Sequence, residues 1–222
     1  MTLEIELPRR GLLATASAAL GAFTLGFHVP FGRAAAQGAT PEINAWVVIR
    51  ADDTVVVRIA RSEMGQGTLT GLAQLVAEEL ACDWSKVTTE YPTPGQNLAR
   101  DRVWGSFSTG GSRGIRDSHD YVRKGGAAAR MMLIQAAADA WGVPAGECAA
   151  ANSVITHRPT GRTVRYGEVA AAAARLAPPQ DVPLKDPSAW TVAGKPVKRL
   201  DTIEKTNGRK VYGMDLKLPG ML

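Results

Sequence analysis

The 222-residue chain has few of the residues that form metal sites or disulfide scaffolds. Its two cysteines and three histidines show no C-x2-C or H-x3-H spacing, which disfavours a zinc site, a disulfide framework and any metal ligated by the protein. It also lacks a tract of five or more like charges, and its net charge of +5 comes from scattered residues, so we predict no nucleic-acid partner. The remaining composition, 45% apolar with 23 glycines, is that of a globular protein rich in tight turns.

A long, strongly apolar run is also missing from the N-terminus, but the first 36 residues have the pattern of an export signal. Arg9 and Arg10 precede the uncharged stretch Gly11–Gly26, and an A-x-A cleavage pattern ends at Ala36. The stretch is shorter than the ~20 apolar residues of a transmembrane helix and is diluted by small residues. Adjacent arginines indicate the twin-arginine route, so we predict cleavage after Ala36 and a periplasmic protein. An amphipathic or buried N-terminal helix is the alternative.

Alternating hydrophobic patterns in the rest of the chain predict an α/β fold, a mixed sheet with helices. The β-branched runs predict strands at Trp46–Arg50, Thr54–Ile59, Lys86–Tyr91, Ser153–Thr156 and Thr163–Arg165. Apolar residues at helical spacing predict helices at Thr68–Leu80, Asp117–Trp141 and Tyr166–Leu176. We expect Thr68 to be the N-cap of the first helix.

The less regular segments carry three further expectations. The cluster Pro92–Asn97 predicts a loop. Residues from Pro178 onward lack clear periodicity and indicate an extended linker, whereas the sequence from Lys210 begins like a new strand. Glu78 and Glu79 are predicted to lie on the solvated face of their helix.

The first chemically informative segment connects a predicted strand to a predicted helix. Gly65 and Gly67 permit a positive φ there and a close approach of the backbone to a ligand. The helix N-terminus would add unpaired N–H donors for an anion, and Gln66 stands between the two glycines with its amide free to face a ligand. The spacing matches neither a P-loop nor the dinucleotide fingerprint. A tight structural connection is the alternative.

The second informative segment again leads into a helix and concentrates hydroxyl groups and glycines at Thr109, Gly110, Gly111 and Ser112. Backbone amides and hydroxyls at such a position can bind phosphate or a polar heterocycle. Arg113 could add a bidentate contact to phosphate or could be a solvated surface charge, and a simple capping loop remains the alternative. Two such segments in one small α/β region favour shared binding of a polyanionic cofactor.

These segments resemble a known family. The strings EMGQGTLTGLAQLVAEELACDW and STGGSRGIRDSHDYVRKGGAAARMMLIQAAADAWGVP are similar to the large subunit of xanthine dehydrogenase-type molybdenum hydroxylases. The likeness is to the exported branch in particular, which contains the isoquinoline 1-oxidoreductase β-subunit and membrane-associated aldehyde dehydrogenases. It extends to RLDTIEKTNGRKVYGMDLKLPGML and so covers nearly the whole mature chain.

The resemblance implies a domain organisation and a cofactor. Residues 37–177 would be part of the second molybdopterin-binding domain, residues 178–209 an extended linker, and residues 210–222 the truncated start of a hammerhead domain. The cofactor would be molybdopterin with molybdenum, in its cytosine dinucleotide form. Its binding residues would be Gly65, Gln66, Gly67, Thr109, Gly110, Gly111 and Ser112. Gln66 would lie near the metal end, and the later residues would line the pterin or its phosphate.

The resemblance also implies a reaction and partners. The family inserts oxygen from water into small-molecule substrates, here an aldehyde or an aromatic N-heterocycle. Iron–sulfur centres would belong to a small partner subunit, a cytochrome c subunit could complete the electron path, and these partners would allow peripheral association with a membrane.

The chain departs from the family in what it lacks. Large subunits of this kind are several times longer, and their Gly-Gly-Phe-Gly loop and late catalytic glutamate do not occur here. We therefore expect no catalytic residue and no protein metal ligand in this chain, which we interpret as an N-terminal fragment of a longer protein rather than an independent subunit. The rival hypotheses are an exported binding module without catalysis and an inactive fragment.

The export signal makes a direct prediction. Replacing both Arg9 and Arg10 with lysine should leave unprocessed protein in the cytoplasm, because the twin-arginine route requires the arginine pair. Cell fractionation and mass spectrometry of the N-terminus measure this, with Arg33→Lys as the control that keeps the pair. Undiminished export of the double variant would contradict the signal.

Overall fold

The structure, a computed structural model, describes residues 42–221, so the export signal predicted at residues 1–36 lies outside the described residues. The strands are β1 (Glu42–Asn44), β2 (Val47–Ile49), β3 (Val55–Arg58), β4 (Val87–Glu90), β5 (Cys148–Ala151), β6 (Val154–His157) and β7 (Thr163–Arg165). The α-helices are α1 (Thr68–Leu80), α2 (Pro94–Leu98), α3 (Arg113–Arg116), α4 (His119–Trp141), α5 (Tyr166–Ala173) and α6 (Thr202–Thr206). The mixture of sheets and helices confirms the α/β class. No helix in this part of the chain is long and apolar enough to cross a membrane.

The first sheet has the order β1-β2-β3-β4 and combines the predicted hairpin with a parallel strand. β2 and β3 are antiparallel, with Val47 opposite Val57, which confirms the hairpin. β4 runs parallel to β3, with Val55 opposite Val87, and a parallel pair needs a crossover, which α1 provides. The connection between β3 and α1 therefore lies at the carboxyl end of β3, where ligands commonly bind in α/β sheets.

α1 packs against α4 at very short range, and this contact forms the centre of the hydrophobic core. An added Cβ on Gly126 of α4 would lie only 2.5 Å from the carbonyl oxygen of Val76 in α1. Leu72 and Leu80 of α1 and Leu133 of α4 are fully buried in the same cluster. A residue larger than glycine at position 126 would therefore force the two helices apart.

The predicted helix bounds are largely confirmed, with two corrections at the N-termini. α1 has the predicted range, but its N-cap is Gly67 rather than Thr68, because glycine readily adopts the left-handed φ of +85° found there. The helix predicted from Asp117 begins at His119 and follows the separate short α3. It ends at Trp141 as predicted, before a left-handed Gly142.

Two shorter elements differ from the prediction. The predicted loop Pro92–Asn97 contains the start of α2, because Thr93 and Gln96 form a reciprocal capping box. The strand β5 has the sequence CAAA and was not predicted, because it has no β-branched residue. It forms through pairing with β6, where Cys148 lies opposite His157.

Glu78 and Glu79, predicted to be solvated, are buried, and that prediction was wrong. Oε2 of Glu78 accepts the backbone N–H groups of residues 191–193 at 2.6–3.2 Å, and Oε1 lies 3.0 Å from the amine of Lys185. Oε1 of Glu79 lies 2.7 Å from Nη2 of Arg123. Residues 185–193, called the strap below, are therefore fastened to α1, although they lack long regular structure as predicted.

The strand predicted from Lys210 is absent from the part of this segment that the structure describes. A short 3-10 turn at Gly213–Asp215 occurs there, and the side chains of Val211, Met214 and Leu218 are exposed. The prediction of a strand was therefore wrong for these residues, because a strand needs a neighbouring strand to pair with.

The α1–α4 contact predicts a large effect of one methyl group. Gly126→Ala should lower the free energy of unfolding by about 1–3 kcal/mol, because its Cβ would collide with the carbonyl oxygen of Val76. Gly146→Ala is the matched control, since a Cβ there meets nothing within 4 Å and should change stability by less than about 0.5 kcal/mol. Urea unfolding followed by circular dichroism measures both, and equal stability of the two variants would contradict the close packing.

Candidate cofactor-binding site

Loop 1, residues 61–67, connects the end of β3 to α1 and contains the first predicted binding segment. Gly65 and Gly67 have φ values of +103° and +85°, which other residues rarely adopt. An added Cβ on either glycine would meet nothing within 4 Å, so both face open space. The backbone of this turn is therefore accessible to a ligand from outside.

A buried carboxylate that the sequence reasoning did not single out organises loop 1. Glu63 Oε1 accepts the N–H groups of Gly65 at 2.7 Å and Gly67 at 2.9 Å, while its Oε2 accepts the N–H of Leu69 at 3.0 Å. The Glu63 side chain is only 6% exposed. An acidic residue just before a helix N-terminus was the signal that could have revealed this role.

The Glu63 contacts correct the expectation that the N–H groups of this turn are open to an anion, since they occupy those of Gly65 and Gly67 and, in the first turn of α1, that of Leu69. Burial by itself raises the pKa of Glu63, but the hydrogen bonds from Gly67, Leu69 and Gly65 outweigh it and hold the pKa below its ordinary value. The carboxylate is therefore charged at neutral pH and already satisfies these three donors. Because these N–H groups are not available to a ligand anion, loop 1 suits a neutral group that approaches its open glycine faces.

Gln66 is exposed, as expected, but its amide is not free to face a ligand. Its Nε2 donates to the carbonyl oxygen of Ser62 at 3.0 Å, and its Oε1 accepts the N–H of Met64. The amide turns back because backbone partners of its own loop lie within reach. A contact between Gln66 and a ligand therefore requires these two hydrogen bonds to be exchanged.

Loop 2, residues 105–112, leads into α3 and contains the second predicted segment. Gly111 and Ser112 are left-handed, with φ of +67° and +57°. Gly110 and Gly111 are exposed, and their N–H groups find no acceptor among residues 42–221. Unlike loop 1, loop 2 therefore keeps open backbone donors at its surface. Arg113 donates to the carbonyl oxygen of Gly110 at 3.1 Å.

Arg61 joins the two loops. Its side chain is buried, its Nε donates to the hydroxyl of Ser118 at 3.0 Å, and its Nη1 donates to the carbonyl oxygen of Ser108 in loop 2. Thr109 Oγ1 also lies 3.7 Å from the sulfur of Met64 in loop 1. The structure thus brings the two predicted segments side by side. Arg61 forms no ion pair with a carboxylate of the described residues.

A cavity, but no cluster of metal-ligating side chains, accompanies the glycine loops in the described chain. No group of three or more histidine, cysteine, aspartate or glutamate side chains that could hold a metal ion occurs in residues 42–221. A cavity of about 630 Å³ adjoins loop 1 and is lined in part by Glu63, Met64, Gly65 and Tyr91. The fold and site therefore define an α/β protein with paired glycine loops at one edge of a sheet.

The comparison with known proteins identifies the family. Residues 6–214 match the family described as the molybdopterin cofactor-binding domain, and the chain belongs to this family. The resemblance stated from the two glycine segments is thereby confirmed.

Two curated relatives cover almost the whole chain. Isoquinoline 1-oxidoreductase subunit beta from Brevundimonas diminuta is 33% identical over 98% of this chain and 33% of its own length. The membrane-bound aldehyde dehydrogenase (pyrroloquinoline-quinone) from Gluconacetobacter polyoxogenes is 32% identical over 99% of this chain and 29% of its own length. The chain thus spans about a third of the length of these relatives.

Among solved structures, the reconstituted CO dehydrogenase from Oligotropha carboxidovorans is similar to this chain at 22% identity and a TM-score of 0.43. The match covers 65% of this chain and 18% of that one.

Glu63 predicts a pH-dependent contribution to stability. At pH 7, Glu63→Gln should lower the free energy of unfolding by about 2 kcal/mol, because an amide cannot accept all three backbone hydrogen bonds. Since the folded-state pKa is depressed, the stabilisation is present above the ordinary carboxyl pKa and is lost as the pH falls through the depressed value.

Urea unfolding of both proteins between pH 7 and pH 3 measures this difference. The gap between wild type and Glu63→Gln should therefore close in acid, whereas the exposed control Glu204→Gln should show little gap at any pH. A gap that stays constant with pH would contradict a charged Glu63 at the helix N-terminus.

Proposed function

We propose that this chain is the molybdopterin-binding part of an exported molybdenum hydroxylase, which oxidises an aldehyde or an aromatic N-heterocycle with oxygen from water. The observation that carries the proposal is the pair of glycine loops held together by the buried Arg61. Family membership supports the cofactor class, and the names of the two curated relatives support the substrate classes.

The geometry fits a cofactor with a neutral end and a phosphate end. At loop 2, the exposed N–H groups of Gly110 and Gly111 and the hydroxyl of Ser112 can donate to phosphate oxygens. Arg61 and Arg113 add positive charge beside them. We therefore assign the phosphate-bearing end of a molybdopterin cytosine dinucleotide to loop 2.

At loop 1, the open faces of Gly65 and Gly67 allow the pterin to approach the backbone, while their N–H groups, already bound to Glu63, are not available to phosphate. Gln66 would contact the end of the cofactor near the metal by giving up its bonds within the loop. Thr109 lies between the loops, against Met64, and would line the same surface. When bound, the molybdenum centre would supply the oxygen-transfer chemistry, and we assign no catalytic residue to this chain.

The wider assembly is part of the same proposal. The isoquinoline 1-oxidoreductase relative is named as a subunit beta, which supports a multi-subunit enzyme, in which an iron–sulfur small subunit and a cytochrome c subunit would accept electrons. The paired Arg9 and Arg10 support export to the periplasm.

Cofactor binding is tested by titrating the 222-residue chain with isolated molybdopterin cytosine dinucleotide and following pterin fluorescence. Gly110→Asp should weaken binding at least about ten-fold, because the new carboxylate would stand beside the phosphate-binding N–H groups. Gly146→Asp, on an exposed glycine outside both loops, is the matched control. Gln66→Ala should weaken binding about two- to ten-fold through loss of one amide contact.

Equal affinity of Gly110→Asp and Gly146→Asp would contradict the site, and an absence of binding by the wild-type chain would contradict the function. We expect weak binding, because a polyanion needs donors on both sides and this chain provides one side. Stoichiometric molybdenum and cytosine nucleotide in the purified chain would contradict that half-site argument.

A further inference from the structure

Four side chains of alternating charge run from loop 1 to α6, in the order Glu63, Arg199, Asp201 and Lys205; they are called the charge row below. Arg199 lies 3.0 Å from both Glu63 and Asp201, and Lys205 pairs with the other oxygen of Asp201. The carboxylates of Glu63 and Asp201 are both less than 10% exposed. Neither the family assignment nor the proposed function gives Arg199, Asp201 or Lys205 a role.

Arg199 contacts loop 1 in two ways at once. Its Nη2 donates to Glu63 Oε1, and its Nη1 donates to the carbonyl oxygen of Gly65 at 2.9 Å. Nε and Nη2 also donate to the Asp201 carboxylate at 3.0 and 3.1 Å. A planar guanidinium makes these four hydrogen bonds in a fixed geometry, whereas an ammonium has only three N–H donors.

The segment that carries Arg199 is itself held against α1. The N–H of the next residue, Leu200, donates to the hydroxyl of Thr70 at 3.1 Å. Arg199 therefore approaches loop 1 from a fixed direction. It is 134 residues from Gly65 in sequence, so this contact ties the glycine turn to a distant part of the chain.

We propose that Arg199 is a positioning residue for the cofactor-binding turn: it holds the Glu63 carboxylate over the N–H groups of Gly65, Gly67 and Leu69. This inference rests on the proposed function, because the turn is the one assigned to the pterin. A buried carboxylate needs compensating donors, and loss of the guanidinium would favour rotation of Glu63 towards water. That rotation would break the hydrogen bonds to the three amides, and the turn that contains Gln66 would lose its fixed conformation.

Hydrogen exchange in the ligand-free chain tests the positioning directly. In Arg199→Gln, the amides of Gly65, Gly67 and Leu69 should exchange at least about ten-fold faster by NMR, because their charged acceptor is no longer held. Arg209→Gln, an exposed arginine of the same region, is the matched control and should leave them unchanged. Amides of α4 should be unaffected in both variants.

Two outcomes of this experiment would overturn the proposal. Unchanged exchange at the three amides would show that Glu63 keeps its position without Arg199. Equal acceleration in α4 would show a general loss of stability rather than a local role. Arg199→Lys keeps the positive charge but cannot make all the guanidinium hydrogen bonds. We therefore expect its amides to be protected better than those of Arg199→Gln but less than those of wild type. Protection equal to wild type would show that the guanidinium geometry is not needed.

The cofactor titration separates this proposal from the proposed function. Arg199→Gln should weaken binding of molybdopterin cytosine dinucleotide about three- to ten-fold, as a fixed turn loses its preorganisation. If it binds like wild type while Gly110→Asp still binds weakly, the positioning role is wrong and the cofactor assignment stands. If Gly110→Asp also binds like wild type, the proposed function itself is wrong, whatever Arg199 does to exchange.

Discussion

The close packing of α1 against α4 at Gly126 determines where the binding loops lie. Val76 is the ninth residue of α1 and Gly126 the eighth of α4, so the contact occurs two turns into each helix. The N-termini of α1 and α4 are therefore at about the same distance from the contact. They also lie at the same end of the helix pair, because Arg61, which precedes α1, donates to Ser118 at the start of α4. Loop 1 leads directly into α1, and loop 2 leads through the short α3 into α4, so the packing of α1 on α4 brings the two glycine loops together.

Buried carboxylates perform a second, repeated task in this fold. Glu63 accepts the N–H groups of the glycine turn, and Glu78 accepts those of the strap. Irregular backbone cannot satisfy its own N–H groups as a helix or sheet does, so in both segments a buried side-chain carboxylate is the acceptor. The cost of burying each charge is offset by its several donors and by a cation, Arg199 for Glu63 and Lys185 for Glu78. These pairs attach the region after residue 178 to loop 1 and to α1.

The sequence predicted the parts of the fold that depend on local patterns. The bounds of α1, the β2–β3 hairpin and the end of α4 follow from periodicity and from Gly142, which are properties of neighbouring residues. The burial of Glu78 could not be predicted in this way, because its partners lie more than 100 residues away. The strand β5 also depends on a tertiary partner. The candidate loops were found through their glycines, but the state of their donors depends on Glu63 and Arg199 and was predicted wrongly for loop 1.

The contrast between the two loops shows what a glycine pattern does and does not reveal. Both loops have left-handed residues, open surfaces and a helix behind them, and both suggested an anion site from sequence. In loop 1 a carboxylate two residues before the first glycine neutralises the helix N-terminus, whereas the amides of loop 2 stay open. A dinucleotide-type ligand placed across both loops would therefore have one favourable direction, with its charge at loop 2. The glycines leave room for a ligand to approach the backbone, and the charged side chains around them determine in which direction that ligand binds.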